Sequence, residues 1–580
     1  MKFRYLCTII VLFSLICFPL FSQTITILHT NDMHAHILEE KSPDGTLTGG
    51  FAQLSAVIEK EKHKTDHPVF VADAGDFLMG TLFQMIEMES GFQLNLMKTM
   101  GYDAVSIGNH EFDFGVKPFV DYARKASAIG CPPLVLANID YAENKNDEGL
   151  AGLYRDSIVA PYTIVEKDGV KVGFFGILGD IAYDYTPNLY AYKLENRIKT
   201  AKKIIKTLKE EHQVDFIICL SHSGVYKNEK GEWDMSEDIE LASKTDGIDA
   251  IISGHTHTRL DQPLIYNGTP IVQTGAYGEN IGKLTLVKNN PSELKYELIP
   301  VTGERPENGT VEVKIEIQFQ HLKDTLQKYV GIDYNKKILE TAFPLQYMDE
   351  EPAKSNIAPL IADAIQYNVN QKDATGTDIS LIAQGMIRSG LEPGSYALPQ
   401  IFSVASLGEG NDKVPGYALS RMYFTAHEIK TVLEMLEMMA KNDPTYFIHA
   451  SGMEIVRNED GGFFKKIAAI KMPDQNGIFK AIDLSKKNKK LYAVTADTYM
   501  MRNLSLIKKK SFGLLKVIPK MEDGMPVVDI NATIIDGDKI KPGVQEIKVW
   551  KSLIEYAGSF KDLDGNGIPD VPERYKIEFN

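Results

Sequence analysis

From residue 24 to about 301 the chain repeats one pattern: a short apolar run rich in β-branched residues, then a polar break. The runs span 25–28, 69–72, 104–107, 134–137, 172–178, 216–220 and 250–252. Short, nearly continuous apolar runs are what strands covered on both faces look like. Helical periodicity fills 51–60 and 195–211 between them. Asp168-Gly169 and Asn267-Gly268 each separate two strand-like runs, as two-residue hairpin turns do. This pattern predicts an α/β domain with mixed sheets.

The chain has 580 residues, more than one core holds. The pattern breaks at the polar stretch 306–309, and 311–329 then reads as a helix joining two domains. A second α/β or α+β unit follows, with a helix at 357–367, a strand at 379–382, a helix at 426–439 and a strand at 491–495. The expected layout is a signal peptide at 1–23, a first domain at 24–303, a linker helix at 304–336, a second domain at 337–559 and a tail at 560–580.

Lys2 and Arg4 precede an apolar run at 6–21, followed by Ser22-Gln23. This is the form of a secretory signal peptide, so the expected location is periplasmic, extracellular or at the cell surface. An uncleaved anchor and a lipid-modified Cys17 are the alternatives, and either would bring in a membrane. No second run is long enough to span a bilayer. The net charge of −15 argues against a nucleic acid polymer as partner, while leaving room for a local cationic pocket. Outside the signal, Cys131 and Cys219 are too few for a disulfide framework. They read as buried thiols, with a single bridge as the alternative.

Five of the strand candidates end in groups that carry chemistry. They lead into Asp32-Met33-His34, Gly75-Asp76, Gly108-Asn109-His110-Glu111, His222 and Gly254-His255-Thr256-His257. Ligands of α/β sheets gather outside the carboxyl ends of the strands, so five distant loops can meet at one place. Aspartate oxygens and neutral imidazoles suit zinc, manganese, iron or cobalt. A carboxylate can bridge two ions, and a paired site can activate water for attack on a phosphate ester.

The ordered set DMH, GD, GNHE, H and GHTH resembles the calcineurin-like metallophosphoesterases. The longer strings HTNDMHAH, DAGDFLMGT, SIGNHEFDFG, LSHSG and SGHTHT resemble the 5′-nucleotidase family within them. The resemblance implies a four-layer α/β/β/α sandwich, joined by a helix to an α/β (α+β) substrate-binding domain. It implies two divalent metals, with Asp32, His34 and His257 on one, Asn109, His222 and His255 on the other, and Asp76 between them. His110 matches the family's catalytic histidine and Asp113 would orient it, while Glu111 would make structural polar contacts. The implied activity is hydrolysis of a nucleotide, of the 5′-nucleotidase or 2′,3′-cyclic phosphodiesterase type. A hinged motion of the two domains is implied as well.

The second domain departs from the family pattern. Arg388, in Gln384-Gly385-Met386-Ile387-Arg388, matches a substrate-contacting arginine. The turn that carries one base-stacking ring is Ser406-Leu407-Gly408-Glu409 here, so Leu407 offers no ring. Tyr499 matches the second ring, but Met500-Met501-Arg502-Asn503 follows it in place of a glycine-rich stretch. The phosphate-cleaving half is thus expected intact and the nucleoside grip altered. A non-nucleotide phosphate ester, or a metal-bearing binding or surface protein, is the alternative. The non-ligand pair His110 and Asp113 favours an enzyme.

Asp562, Asp564, Asn566, Asp570 and Glu573 fit the spacing of a calcium loop with Gly567 at its turn. Pro569 and Pro572 oppose a regular helix leaving it. A single calcium site is the expectation, with a polar turn ending the chain as the alternative.

Overall fold

The computed structural model describes residues 23–577, apart from 42–45, 142–148, 304–308, 505–516 and the single positions 229, 234, 349, 350, 413, 442, 459, 463 and 503. The signal-like segment 1–22 therefore lies outside the described residues. Among the described residues no helix is long and apolar enough to cross a membrane.

The first domain holds two sheets. In the seven-stranded sheet, Thr24–Thr30, Val69–Asp73, Ala104–Ser106, Leu134–Val135 and Val159–Ala160 run parallel, and Asn280–Val287 and Lys295–Pro300 close one edge antiparallel. The six-stranded sheet has Val170–Leu178, Phe216–His222, Ala250–Ser253 and Thr269–Val272 parallel, with Tyr162–Lys167 and Leu264–Tyr266 antiparallel at its edges.

Alternation along the strands explains the layering. Ile25, Ile27, Phe70 and Ala72 point inward from one sheet and meet Val172, Phe174, Ile218 and Leu220 from the other. The opposite faces are covered too. Val69 and Val71 join a core with the helices Phe51–Lys62, Phe92–Met100 and Val116–Ile129. Ile217, Cys219 and Ile251 pack under Arg197–Glu210 and Glu237–Lys244. The order is helix, sheet, sheet, helix, and strands buried on both faces need the continuous apolar runs seen in the sequence. Both predicted hairpins form, with φ of 51° and 79° at Asp168-Gly169 and 50° and 78° at Asn267-Gly268.

The joining helix, Thr310–Tyr329, buries Val311, Ile315, Leu322 and Leu326 against the first domain's helices. The second domain is separate and mixed. A four-stranded sheet orders Leu419–Thr425, Leu491–Asp497, Ile379–Ala383 and Ile448–Ser451, flanked by the helices Ile357–Lys372 and Ala426–Ala440. A further helix, Val549–Ala557, packs on Ile357–Lys372. The end of the chain is built into this domain: Val571 and Tyr575 are buried in its core. Cys219 is buried and Cys131 half-buried, both as free thiols.

Candidate active site

The parallel strands of both sheets point their carboxyl ends the same way. Thr30 pairs with Asp73 in one sheet, and Leu178 with His222 in the other. The loops that follow them turn sharply. Asp32, His34, Asp76, His255 and His257 all have φ between 46° and 75°. This left-handed conformation costs energy for side chains with a Cβ and concentrates at functional sites. Gly75 and Gly108 are tightly constrained: a Cβ on Gly108 would lie 2.2 Å from the Asp76 carboxylate, and one on Gly75 2.7 Å from the Gly108 nitrogen.

The turns bring the predicted side chains together. Asp32, His34 and His257 present their ligating atoms to one another within 4.8 Å, and so do Asp76, His222 and His255. A third such group, His34, Asp76 and His110, joins the first two. His222 Nε2 lies 2.9 Å from Asp76 Oδ2 and 3.2 Å from Asn109 Oδ1. His255 Nδ1 is 3.0 Å from the same Asn109 oxygen. His34 Nε2 and His257 Nε2 face each other at 3.0 Å. Asp32, Asp76 and His222 are almost wholly buried.

Hydrogen bonds around this cluster set the tautomers. A backbone carbonyl can only accept, so His34 Nδ1–H donates to Met79 O at 3.2 Å and His222 Nδ1–H to Ala74 O at 2.9 Å. Each ring then turns its Nε2 inward, the arrangement that orients histidine ligands of metals. Asn31 donates to Asp32 Oδ2 at 2.6 Å. Glu111 accepts from the backbone N–H groups of Gly108, Asp76 and Leu78, and so ties two of the loops together.

Charge follows from burial. Desolvation pushes Asp32 up to about 7, offset in part by the nearby His222. Burial and neighbouring cationic groups pull His34 and His257 well below their ordinary value, and His255 to about 3. His222 goes the other way: burial lowers it, but the Asp76 carboxylate beside it more than reverses this and holds it up at about 10. A cation bound there would displace that proton, and the imidazoles and buried carboxylates would then form a donor set that fits divalent cations. His110 is raised as well. Burial lowers its pKa, but Asp113 and Asp76 more than reverse this, and the net shift is upward. Its Nδ1 lies 2.6 Å from Asp113 Oδ2, and its Nε2 lies 4.0 Å from Asp76 Oδ2.

The second domain reaches this cluster. Arg388 lies near enough for its charge to act on Tyr277, Asp76 and Asp113. A cavity of about 250 Å³ lies between the domains, with Asn109, His110, Asp113, Arg388, Leu407 and Tyr499 all on its wall. Tyr499 stacks on Tyr417, with ring centroids 5.4 Å apart and planes at 25°. Rings this close leave no gap for a base between them.

Several participants were not read from the sequence. Tyr277 packs its ring against His34, His36 and His257. It lies a few residues beyond the strand Thr269–Val272, so the strand-end rule that singled out the clustered aspartates and histidines could have found it. Tyr185 rests its ring near His255 and donates to Asp443 Oδ2 at 2.5 Å across the domain interface; no motif marks either residue.

In the tail, Asp564 and Asp570 gather with Glu340, a residue outside the predicted loop. Asp562 accepts from the N–H groups of Gly565 and Gly567, and Glu573 begins a short 3₁₀ turn. Exposed acidic groups cluster readily without an ion, and no cation is assigned here.

The comparisons with known proteins agree with this architecture. The calcineurin-like phosphoesterase family model matches residues 25–259, and that of the 5′-nucleotidase C-terminal domain matches 337–503. These define a two-domain metallophosphoesterase. The chain is 27% identical over 489 residues to the trifunctional nucleotide phosphoesterase protein YfkN of Bacillus subtilis, covering 79% of this chain and 31% of that protein. It is 26% identical over 440 residues to a snake venom 5′-nucleotidase of Gloydius brevicauda, covering 69% and 70% of the two chains. In fold it is similar to the 5′-nucleotidase precursor of Thermus thermophilus, with a TM-score of 0.68 at 21% identity, over 92% of this chain and 96% of that one. The chain belongs to the 5′-nucleotidase family and is a metal-dependent phosphoric ester hydrolase.

Proposed function

We propose that this is an exported phosphoesterase whose first domain cleaves a phosphate ester held in the cleft between the domains, with a nucleotide as substrate. The observation that carries the reading is the meeting of seven donors, from Asp32, His34, Asp76, Asn109, His222, His255 and His257, beside the hydrogen-bonded pair His110 and Asp113. The domain boundaries given above, the ligand set and the roles of His110, Asp113 and Arg388 are part of this proposal. Export rests on the leader-like residues 1–23 and agrees with a relative named for venom.

Asp32, His34 and His257 would hold one divalent ion and Asn109, His222 and His255 the other, with Asp76 shared. Zinc, manganese, iron and cobalt all suit the donors. Bound ions would supply a water of lowered pKa and positive charge opposite the phosphoryl oxygens. The remaining work falls to the chain. Asp113 fixes His110 Nδ1 as a donor and favours the imidazolium, so Nε2–H can donate to a phosphoryl or leaving-group oxygen as negative charge builds. Arg388 adds a cation from the second domain.

The nucleotide reading leans on the names of the relatives. One observation favours a second reading, a non-nucleotide ester: Tyr499 is engaged with Tyr417, and Leu407 stands where a ring is expected. Hydrolysis of p-nitrophenyl phosphate with added manganese or zinc, abolished in His110→Ala, tests the phosphoesterase. Release of phosphate from AMP, 2′,3′-cyclic AMP and UDP-glucose tests the substrate. No turnover of any of these by the metal-loaded protein would sink the proposal.

A further inference from the structure

Two neighbouring strands of the six-stranded sheet end at a serine beside a histidine of the site. Ser221 precedes His222, Ser253 precedes Gly254-His255, and the two serines pair with each other in the parallel register. Alternation sends both side chains to the helix-covered face, where Ile217, Cys219 and Ile251 are buried. There they meet one carboxylate, Asp238, in the helix Glu237–Lys244. Ser221 Oγ–H donates to Asp238 Oδ1 at 2.6 Å and Ser253 Oγ–H to Oδ2 at 2.5 Å. Gly224 N–H donates to Oδ2 at 3.1 Å and holds the turn that follows His222. Asp238, Ser221 and Ser253 are all wholly buried.

A carboxylate in this place is costly. Burial pushes Asp238 up to about 6, even though three donors and the nearby Arg197 favour its charge. Ile239, Leu241 and Ala242 of the same helix fill this layer with apolar side chains. Apolar residues at 221, 238 and 253 would serve packing alone at least as well. What the carboxylate adds is a fixed distance between two strand ends. Directly beyond those ends, His222 Nε2 and His255 Nδ1 both lie against Asn109 Oδ1, at 3.2 and 3.0 Å. The other group of donors is held from elsewhere. Met79 O orients His34, Asn31 donates to Asp32, and the Gln273 amide oxygen accepts from the His257 backbone N–H at 3.2 Å.

We propose that Asp238 is a positioning residue for one of the two metal ions: it braces Ser221 and Ser253 so that His222 and His255 converge on the ion they share with Asn109. The inference rests on the two-metal reading of the site and goes beyond its ligand set, because Asp238 acts through the strand ends and not on an ion. Removing the partner behind a metal ligand lowers affinity or activity by about ten- to a hundredfold. This brace spans the histidines of one ion, so its loss should weaken that ion and spare the other.

The test titrates manganese into the metal-free full chain. Calorimetry gives the affinities, and electron paramagnetic resonance gives the spin-coupled signal of paired manganese. The wild type should bind two ions. Asp238→Ala should bind one as the wild type does and the other about ten- to a hundredfold more weakly, with the coupled signal lost at manganese concentrations that fill the wild type. Asp238→Asn should keep both ions, since its oxygen can accept from Ser253 and Gly224 while its amide donates to Ser221. If Asp238→Ala does not fold, the double variant Ser221→Ala, Ser253→Ala removes the same two bonds and should show the same loss of one ion. Two ions held with wild-type affinity by the folded variant overturn the inference. So does an equal weakening of both ions, which would make Asp238 a support of the fold alone. A wild-type chain that binds fewer than two ions removes the two-metal reading, and this inference with it.

Discussion

His110 and Asp113, three residues apart on one short turn, are joined at 2.6 Å through His110 Nδ1, which turns the other ring nitrogen toward Asp76 at 4.0 Å. The same His110 lies close enough to His34 and Asp76 to be grouped with them as a ligand. Geometry alone leaves two roles, and the proposed one, proton donor rather than ligand, rests on the Asp113 contact. A ring held in a carboxylate pair with a raised pKa is built to donate a proton, whereas a ligand must offer a lone pair. His110→Ala should therefore lower kcat about a hundred- to ten-thousandfold, and Asp113→Asn about tenfold or more. Both should retain the wild-type metal content by elemental analysis. Loss of one ion in His110→Ala would make His110 a ligand instead.

Metal loading should stabilise the fold as well as activate it. Asp32 and Asp76 are buried carboxylates, and burial pushes Asp32 up to about 7. A cation between them offsets that desolvation. An ion present at a hundredfold over its dissociation constant contributes about 2.7 kcal/mol, or about 5 °C in the melting temperature of a metal-bearing first domain of about 280 residues. Chelation should abolish turnover and lower the melting temperature by about this much, and manganese should restore both. Asp76→Ala should remove the metal-dependent shift. A chelated protein that melts where the loaded one does would show the ions to be held elsewhere or loosely.

How the fold and site could be read from sequence follows from what each residue type must do. The loops of the site were legible because each sits at the end of an apolar strand and carries aspartate, asparagine or histidine, with glycine adjacent at Gly75-Asp76, Gly108-Asn109 and Gly254-His255. The glycines are forced by space, as the 2.2 Å approach to Gly108 shows. The two hairpins were legible because both turn residues need positive φ, which Asp-Gly and Asn-Gly tolerate. Tyr185, Asp443 and Tyr417 were not legible, since tyrosine and aspartate occur anywhere and their contacts span up to 258 positions of chain. The cavity was invisible for the same reason. Its walls come from a sheet and a helix whose apolar residues read simply as core.

The contact between Tyr185 and Asp443 yields a prediction about closure. Tyr185 belongs to the first domain and Asp443 to the second, and the hydroxyl donates to the carboxylate at 2.5 Å. A hydrogen bond to a charged acceptor contributes about 1.5–3 kcal/mol. If the domains open and close, Tyr185→Phe should shift the balance toward the open form, with a larger radius of gyration in solution scattering. KM should rise by about tenfold, with a smaller change in turnover of saturating substrate. An unchanged radius and unchanged KM would mean that the interface is held by other contacts.

Glu87 gives the clearest pH prediction because it lies away from the metal cluster. It is buried, and its carboxyl oxygens accept the Gln93 backbone N–H at 3.0 and 3.1 Å. Desolvation raises its pKa from 4.5 to about 8, more than the neighbouring Tyr122 hydroxyl and the Gln93 hydrogen bonds lower it. The folded state thus holds this proton more tightly than the unfolded chain does. The stability it confers is complete below about 4.5 and is lost progressively as pH rises to about 8, where the buried group becomes charged. Glu87→Gln keeps an acceptor for Gln93 and stays neutral throughout. The melting temperature of Glu87→Gln relative to wild type should climb from pH 5 to pH 9 by about 3 °C or more. A difference that is flat across this range, or that falls with rising pH, would show that Glu87 is ionised in the fold with a partner that compensates its charge.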